Sequence, residues 1–153
     1  MIDSLVATNM DSADTVTLND ENYPLTRFAW NYSLKGEGEQ RMRRPGRHKR
    51  QSQVDTMTIE MIGSILVDIG DNYWTSRNNL LKVLLPHPDA VELNHVRFDL
   101  VVADAAFTIY AETVLRDLDV PVEALSPTRS TFQFQWECPE GYWLDSGGDV
   151  VYI

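Results

Sequence analysis

A single cysteine, Cys138, stands among 153 residues, so no internal disulfide can form. The fold must hold by packing alone, which suits a reducing compartment or a domain that needs no staple. No apolar run approaches the ~18 residues of a membrane-spanning helix. Met1-Ile2-Asp3-Ser4 has neither the basic nor the apolar stretch of a secretory leader. Together these predict a soluble, unprocessed protein with no membrane contact. Cations are scarce as well. Thirteen Lys and Arg face 23 Asp and Glu, for a net charge of −10. That balance argues against a general nucleic-acid binder, because a phosphate backbone must be neutralised by cations. With 43% hydrophobic residues, the chain predicts one globular domain, 1–153, that buries about two-thirds of its unfolded surface.

Catalytic patterns are missing too. The histidines, His48, His87 and His95, fall in no HExxH pattern and at no zinc-ligand spacing with Cys138. Cys138 precedes Pro139 at the end of a strand pattern, and nothing near it in sequence would lower its pKa. It reads as a buried structural thiol. Gly36-Glu37-Gly38 lacks a third glycine and a phosphate-binding Lys-Ser/Thr. The carboxylate pairs Asp68/Asp71 and Asp117/Asp119 could do acid–base work, but an acidic chain produces such pairs by chance. No cofactor, metal or catalytic residue is expected.

What the chain does have is one basic segment. Six of the 13 cations, Arg41, Arg43, Arg44, Arg47, Lys49 and Arg50, fall within ten residues. Without them 7 basic side chains face 23 acidic ones, a balance of −16. The protein is an acidic body with one basic loop. Like charges in a block repel one another, so the block stays solvated or finds a partner. Four readings follow. The loop could contact nucleic acid, although no aromatic residue interleaves the arginines to stack on bases. Arg47-His48-Lys49-Arg50 could be a localisation or processing signal. The loop could be solvated and without consequence. The favoured reading is docking on an acidic surface of a protein neighbour, where arginine forks grip carboxylates bidentately.

Period two dominates the remaining pattern. Met57, Ile59, Met61, Gly63, Ile65 and Val67 alternate with a mostly polar set, which predicts a half-buried strand with a bend or bulge at Gly63. The same alternation marks Phe28–Tyr32, Val96–Val102, Phe107–Leu115 and Phe132–Trp136, and Val150–Ile153 could close an edge. One helix is predicted over 71–85. Tyr73, Arg77, Leu80, Leu81 and Leu84 line its inner face and Trp74 and Leu85 widen it, with Asp71 as cap and Pro86 and Pro88 as stop. Tyr23, Trp30, Trp74, Trp136 and Trp143 are expected mostly in the core by their periodicity, and Trp143, beside Gly141-Tyr142, could instead be an exposed interface residue. Residues 35–53 hold almost no apolar side chain and form a long excursion from a hairpin. Loops of that length are usually functional or disordered.

The order of these parts resembles the N-terminal belt domain of phage distal tail proteins. Leu18-Asn19-Asp20-Glu21-Asn22-Tyr23-Pro24-Leu25 leads to an aromatic strand at Trp30. An arginine-rich loop follows, with Arg44-Pro45-Gly46-Arg47-His48, and then Asp55-Thr56-Met57-Thr58-Ile59-Glu60-Met61-Ile62-Gly63-Ser64-Ile65. The helix is Tyr73-Trp74-Thr75-Ser76-Arg77-Asn78-Asn79-Leu80-Leu81, closing at Leu84-Leu85-Pro86. The resemblance covers residues 16 to 86. It implies a mainly β domain with one helix, a tail-tube-related β-sandwich or barrel-like fold with a long basic hairpin loop. It also implies a structural virion protein of the tail, made in the host cytoplasm and without enzymatic activity. In that family a ring, usually of six subunits, joins the tail tube to the tip or baseplate and lets DNA pass, and a hairpin arm of each subunit reaches its neighbour. The expected partners are further copies of the chain and other tail proteins. A tail-tube or tube-capping subunit is the nearest alternative. A monomeric nucleic-acid-binding module using 41–50 and a carboxylate hydrolase on a β-sandwich are rivals of other classes.

Overall fold

The computed structural model describes residues 2–35, 39–40, 47–48, 53–68, 72–102, 107–122 and 129–153. Along the chain run β1 (Ile2–Asn9), β2 (Thr15–Leu18), β3 (Leu25–Lys35), β4 (Glu39–Gln40), β5 (Arg47–His48) and β6 (Gln53–Leu66). Then come α1 (Tyr73–Leu84), β7 (Val96–Val102), β8 (Phe107–Asp119), β9 (Arg129–Cys138), β10 (Trp143–Asp145) and β11 (Val150–Val151). All described strand pairs are antiparallel, in the order β2-β1-β7-β8-β9-β6-β3, with β10 joining β8 and β11 joining β10. Among the described residues this path is open, with edges at β2 and β3. The fold is therefore a folded-over sheet in two layers, not a closed barrel.

β8 makes the corner. Its first half pairs with β7, Val96 facing Thr113 and Val102 facing Phe107. Its second half pairs with β9, and the register slips between Leu115 and Asp117. A strand that changes partners at a bulge is how a sandwich turns from one layer to the other. The alternation read from the sequence decides which side faces in. Phe132, Phe134 and Trp136 on β9 and Val96, Phe98 and Leu100 on β7 are buried, as are Met57, Ile59 and Met61 on β6. Aromatic rings join the layers edge to face. Phe98 meets Trp136 at 4.7 Å and Phe28 at 6.1 Å, and Trp30 meets Trp143 at 5.3 Å. Such pairs add ~0.5–1.5 kcal/mol each beyond their buried area. Trp143 is fully buried, as the core reading has it and against the alternative of an exposed interface residue. It lies on β10, a strand too short to register as alternation.

Gly63 is a packing position, and the bulge lies opposite it. β6 and β9 pair without a slip from Met57 to Leu66, whereas β3 slips between Leu25 and Arg27. A Cβ at Gly63 would lie 2.6 Å from the Phe132 ring and 2.7 Å from the Pro24 carbonyl oxygen. The amide of Ser64 donates to that same oxygen at 3.0 Å, so the Pro24 backbone cannot retreat cheaply. Gly63→Ala should lower the unfolding free energy by about 1–3 kcal/mol, the cost of overpacking. An unchanged denaturation midpoint would show that this approach relaxes freely.

The helix starts one residue later than expected for its cap. Asn72 Oδ1 accepts from the amides of Trp74 (2.9 Å) and Thr75 (3.4 Å), whereas Asp71 lies outside the described residues. Tyr73, Leu80, Val83 and Leu84 are buried, and α1 packs on β1, β2 and β6. Two of the predicted inner residues differ. Leu81 is half-buried and Trp74 is 48% exposed, because the inner face is turned toward Val83.

Candidate assembly interface

The segment carrying the basic residues extends the β3–β6 hairpin. Lys35 on β3 pairs with Gln53 on β6. Further out, Glu39 pairs with His48 and Gln40 with Arg47 in a separate ladder of two strands. These four residues are the described part of the excursion between Lys35 and Gln53. Of the six predicted contact residues, only Arg47 falls on a described backbone segment. Arg41, Arg43, Arg44, Lys49 and Arg50 lie outside the described residues.

Five of the seven cations outside 41–50 have partners within the body. Arg27 Nε meets Glu60 Oε2 at 2.9 Å, and Lys82 Nζ meets Asp14 Oδ2 at 3.4 Å. Arg116 meets Glu137 at 2.9 Å. Arg97 holds Asp99 at 2.9 Å and lies 3.9 Å from the centre of the Tyr110 ring. Arg77, a residue of the resemblance, donates to the carbonyls of Val120 (2.8 Å) and Pro121 (3.3 Å) and so ties α1 to the end of β8. Exposed ion pairs of this kind add little stability. Their consequence here is electrostatic: Arg27, Lys82, Arg97 and Arg116 each meet a carboxylate, and six of the 13 cations are concentrated within 41–50.

Cys138, His95 and His87 are each held in a local hydrogen bond. Cys138 is buried, its thiol 3.8 Å from the Tyr142 carbonyl oxygen. Burial pushes that thiol up, against the smaller opposing effect of the Gly141, Tyr142 and Glu140 amides, so the thiolate needed for attack is disfavoured. His95 accepts a hydrogen bond at Nε2 from the Leu115 amide at 3.0 Å. Desolvation holds its pKa down, and the neutral ring serves as a brace between β7 and β8. His87 Nδ1 accepts from the Asp89 amide at 3.1 Å in its turn. Asp117 and Asp119 border a shallow polar hollow with Gln133 and Gln135 on the outer face of β8 and β9. Among the described residues no group of three His, Cys, Asp or Glu side chains could hold a metal ion.

Sequence reasoning overlooked the polar clamps. Asn9 is fully buried at the end of β1. Its Nδ2 donates to the carbonyls of Val83 (3.2 Å) and Leu85 (3.0 Å), and its Oδ1 accepts from the amides of Asp11 (3.0 Å) and Ser12 (3.1 Å). One side chain thereby caps the C-terminal end of α1 and shapes the β1–β2 turn. Tyr23 OH donates to the Ser76 carbonyl at 2.8 Å, and Tyr73 OH lies 2.7 Å from Ser130 Oγ. Asp11 Oδ1 accepts from the amides of Val91 (2.8 Å) and Glu92 (3.1 Å), and these two bonds hold its pKa down. An Asn that ends an alternating strand was the one available signal, and a turn residue looks the same in sequence.

No protein-family model matches the sequence, and no curated protein matches it. Solved structures do match. The SPP1 Dit protein, described as a paradigm of the hub adsorption apparatus in phages that infect Gram-positive bacteria, superposes with a TM-score of 0.56 at 10% identity. The match covers 92% of this chain and 52% of that one. A chain of the phage p2 baseplate, in its activated conformation with Sr, superposes with a TM-score of 0.57 at 13% identity. It covers 89% of this chain and 43% of that one. The chain thus spans about half the length of these two proteins. Two layers joined at a bulged strand, with one helix across β1, β2 and β6, give this chain a fold similar to that of these phage Dit and baseplate chains.

Proposed function

We propose that this protein is a structural component of a phage tail, resident in the virion and without catalytic activity. In this reading its copies form a ring, with six subunits as in the family it resembles, that joins the tail tube to the tip or baseplate. The observation that carries the reading is the match of nine-tenths of the chain to a phage hub protein. Charge supports it. Four body cations already meet carboxylates, and the concentrated Arg41, Arg43, Arg44, Arg47, Lys49 and Arg50 are the groups suited to carboxylates of a neighbouring subunit or ring. Six copies at −10 give a ring near about −60, and a negative lumen lets DNA pass without sticking.

Native mass measurement and negative-stain imaging of the purified protein test this reading. A closed ring supports it, an open stack favours a tail-tube subunit, and a monomer that binds DNA through 41–50 overturns it. Arg43→Glu with Arg47→Glu should weaken assembly at least about tenfold, the scale for reversing charges that contact a partner. The variant monomer should keep its melting profile, because the segment holds almost no apolar residue. Unchanged assembly would remove the arm from the interface.

A further inference from the structure

The basic excursion leaves the body from β3, and β3 pairs with β6 alone. Among the described residues no strand lies along its other edge. A second hold on β3 comes from residues 150–153. β11 pairs with β10, Val151 facing Trp143 and Val150 facing Leu144. β10 in turn pairs with the half of β8 that faces β7. Tyr152 and Ile153 then leave that ladder and cross to β3 in the other layer. Trp30 Nε1 donates to the main-chain oxygen of Ile153 at 2.9 Å, and the Tyr32 hydroxyl donates to the same oxygen at 3.2 Å. The Ile153 amide donates to the Tyr32 hydroxyl at 3.4 Å. The Tyr152 ring meets the Tyr32 ring edge to face at 5.8 Å.

Two properties set this crossing apart from the core. The first is exposure. Tyr152 is 59% and Ile153 42% exposed, so little apolar area holds them down. Few hydrogen bonds, open to water, and few buried contacts are the conditions under which a segment opens locally while the rest stays folded. The second is place. Among the described residues Tyr32 is the outermost β3 side chain that is hydrogen-bonded outside the β3–β6 hairpin. Leu34, two residues further out, is 70% exposed, and the excursion begins at Lys35.

We infer that Tyr152 and Ile153 form a releasable strap, held by Trp30 and Tyr32, that fixes the root of the basic excursion to the body. With the strap seated, β3 is tied to both layers as far out as Tyr32. With the strap released, the outer part of β3 is held by β6 alone. A fixed root lowers the ordering cost of any contact made through 41–50. This consequence for assembly rests on the tail-ring reading, and the strap itself does not.

A nitroxide on Leu34→Cys reads the strap directly, and the buried Cys138 stays unlabelled. A second label on Thr131→Cys, exposed on the central strand β9, serves as control. Deleting residues 152–153 should cost the spectrum at position 34 its immobile component and leave that at position 131 unchanged. Tyr32→Phe keeps the ring and removes the hydroxyl, so it should mobilise position 34 in part. The deletion should also weaken self-association about tenfold, the ordering cost of one or two side chains.

A spectrum at position 34 that moves in neither variant would overturn the strap. Equal mobilisation at positions 34 and 131 would overturn it as well, because the deletion would then loosen the whole fold. Mobilisation confined to position 34 with unchanged assembly supports the strap and removes its link to assembly. A parent protein that stays monomeric at all concentrations overturns the ring reading, and position 34 still decides the strap.

Discussion

Leu80→Ala and Leu84→Ala should each lower the unfolding free energy by about 2–5 kcal/mol, whereas Leu81→Ala should cost about 1–2 kcal/mol. Leu80 and Leu84 are fully buried, and they face the junction where α1 meets β1, β2 and β6. Truncation there removes apolar area and leaves a cavity that the surrounding strands fill only in part. Leu81 is half-buried, so less area returns to water when it is cut back. Denaturant melts separate the cases, with the midpoint falling in that order while the slope stays constant. Equal losses at Leu81 and Leu84 would mean that the helix is turned from the phase described here.

Asn9→Ala should cost about 2–4 kcal/mol, because each buried polar group left without its partner loses ~1–3 kcal/mol and water regains some of them. The substitution strips the Val83 and Leu85 carbonyls of a donor and the Asp11 and Ser12 amides of an acceptor. Asn9→Asp divides the clamp. A carboxylate still accepts from the turn amides, but it faces the carbonyl end of α1, where the helix dipole disfavours negative charge. Its folded pKa should therefore be raised above the ordinary ~3.9 of aspartate. The folded state then holds its proton more tightly than the unfolded chain does, so the loss relative to the parent is largest at neutral pH. The loss shrinks as pH falls through the raised value. Equal losses for Asn9→Asp at pH 7 and pH 4 would show that the helix end does not sense the charge.

The strands were legible from period two because one face of each is buried. Phe98, Phe134 and Trp136 could be assigned inward from their spacing alone. The α1 pattern was legible for the same reason, but its phase was not. An inner face that includes Leu80, Leu81 and Leu84 fits the sequence as well as one that includes Leu80, Val83 and Leu84. Only contact with β1 and β6 chooses between them. Trp143 stood between core and surface in the sequence because β10 has three residues, too few to show alternation. Gly63 was legible as special, but its cause lies on Pro24 and Phe132, which sequence distance hides.

Composition and patterning alone established a mainly β domain with one helix and a basic excursion on an acidic body. These follow from local rules: side-chain direction along a strand, cap and stop residues, and repulsion among like charges. Tertiary structure decided the layer change at β8, the capping of α1 by Asn9, the bracing of Val91 and Glu92 by Asp11, and the hollow beside Arg27. Each joins residues far apart in the chain. A sequence records which groups need partners, and only the folded backbone says which partner is within reach.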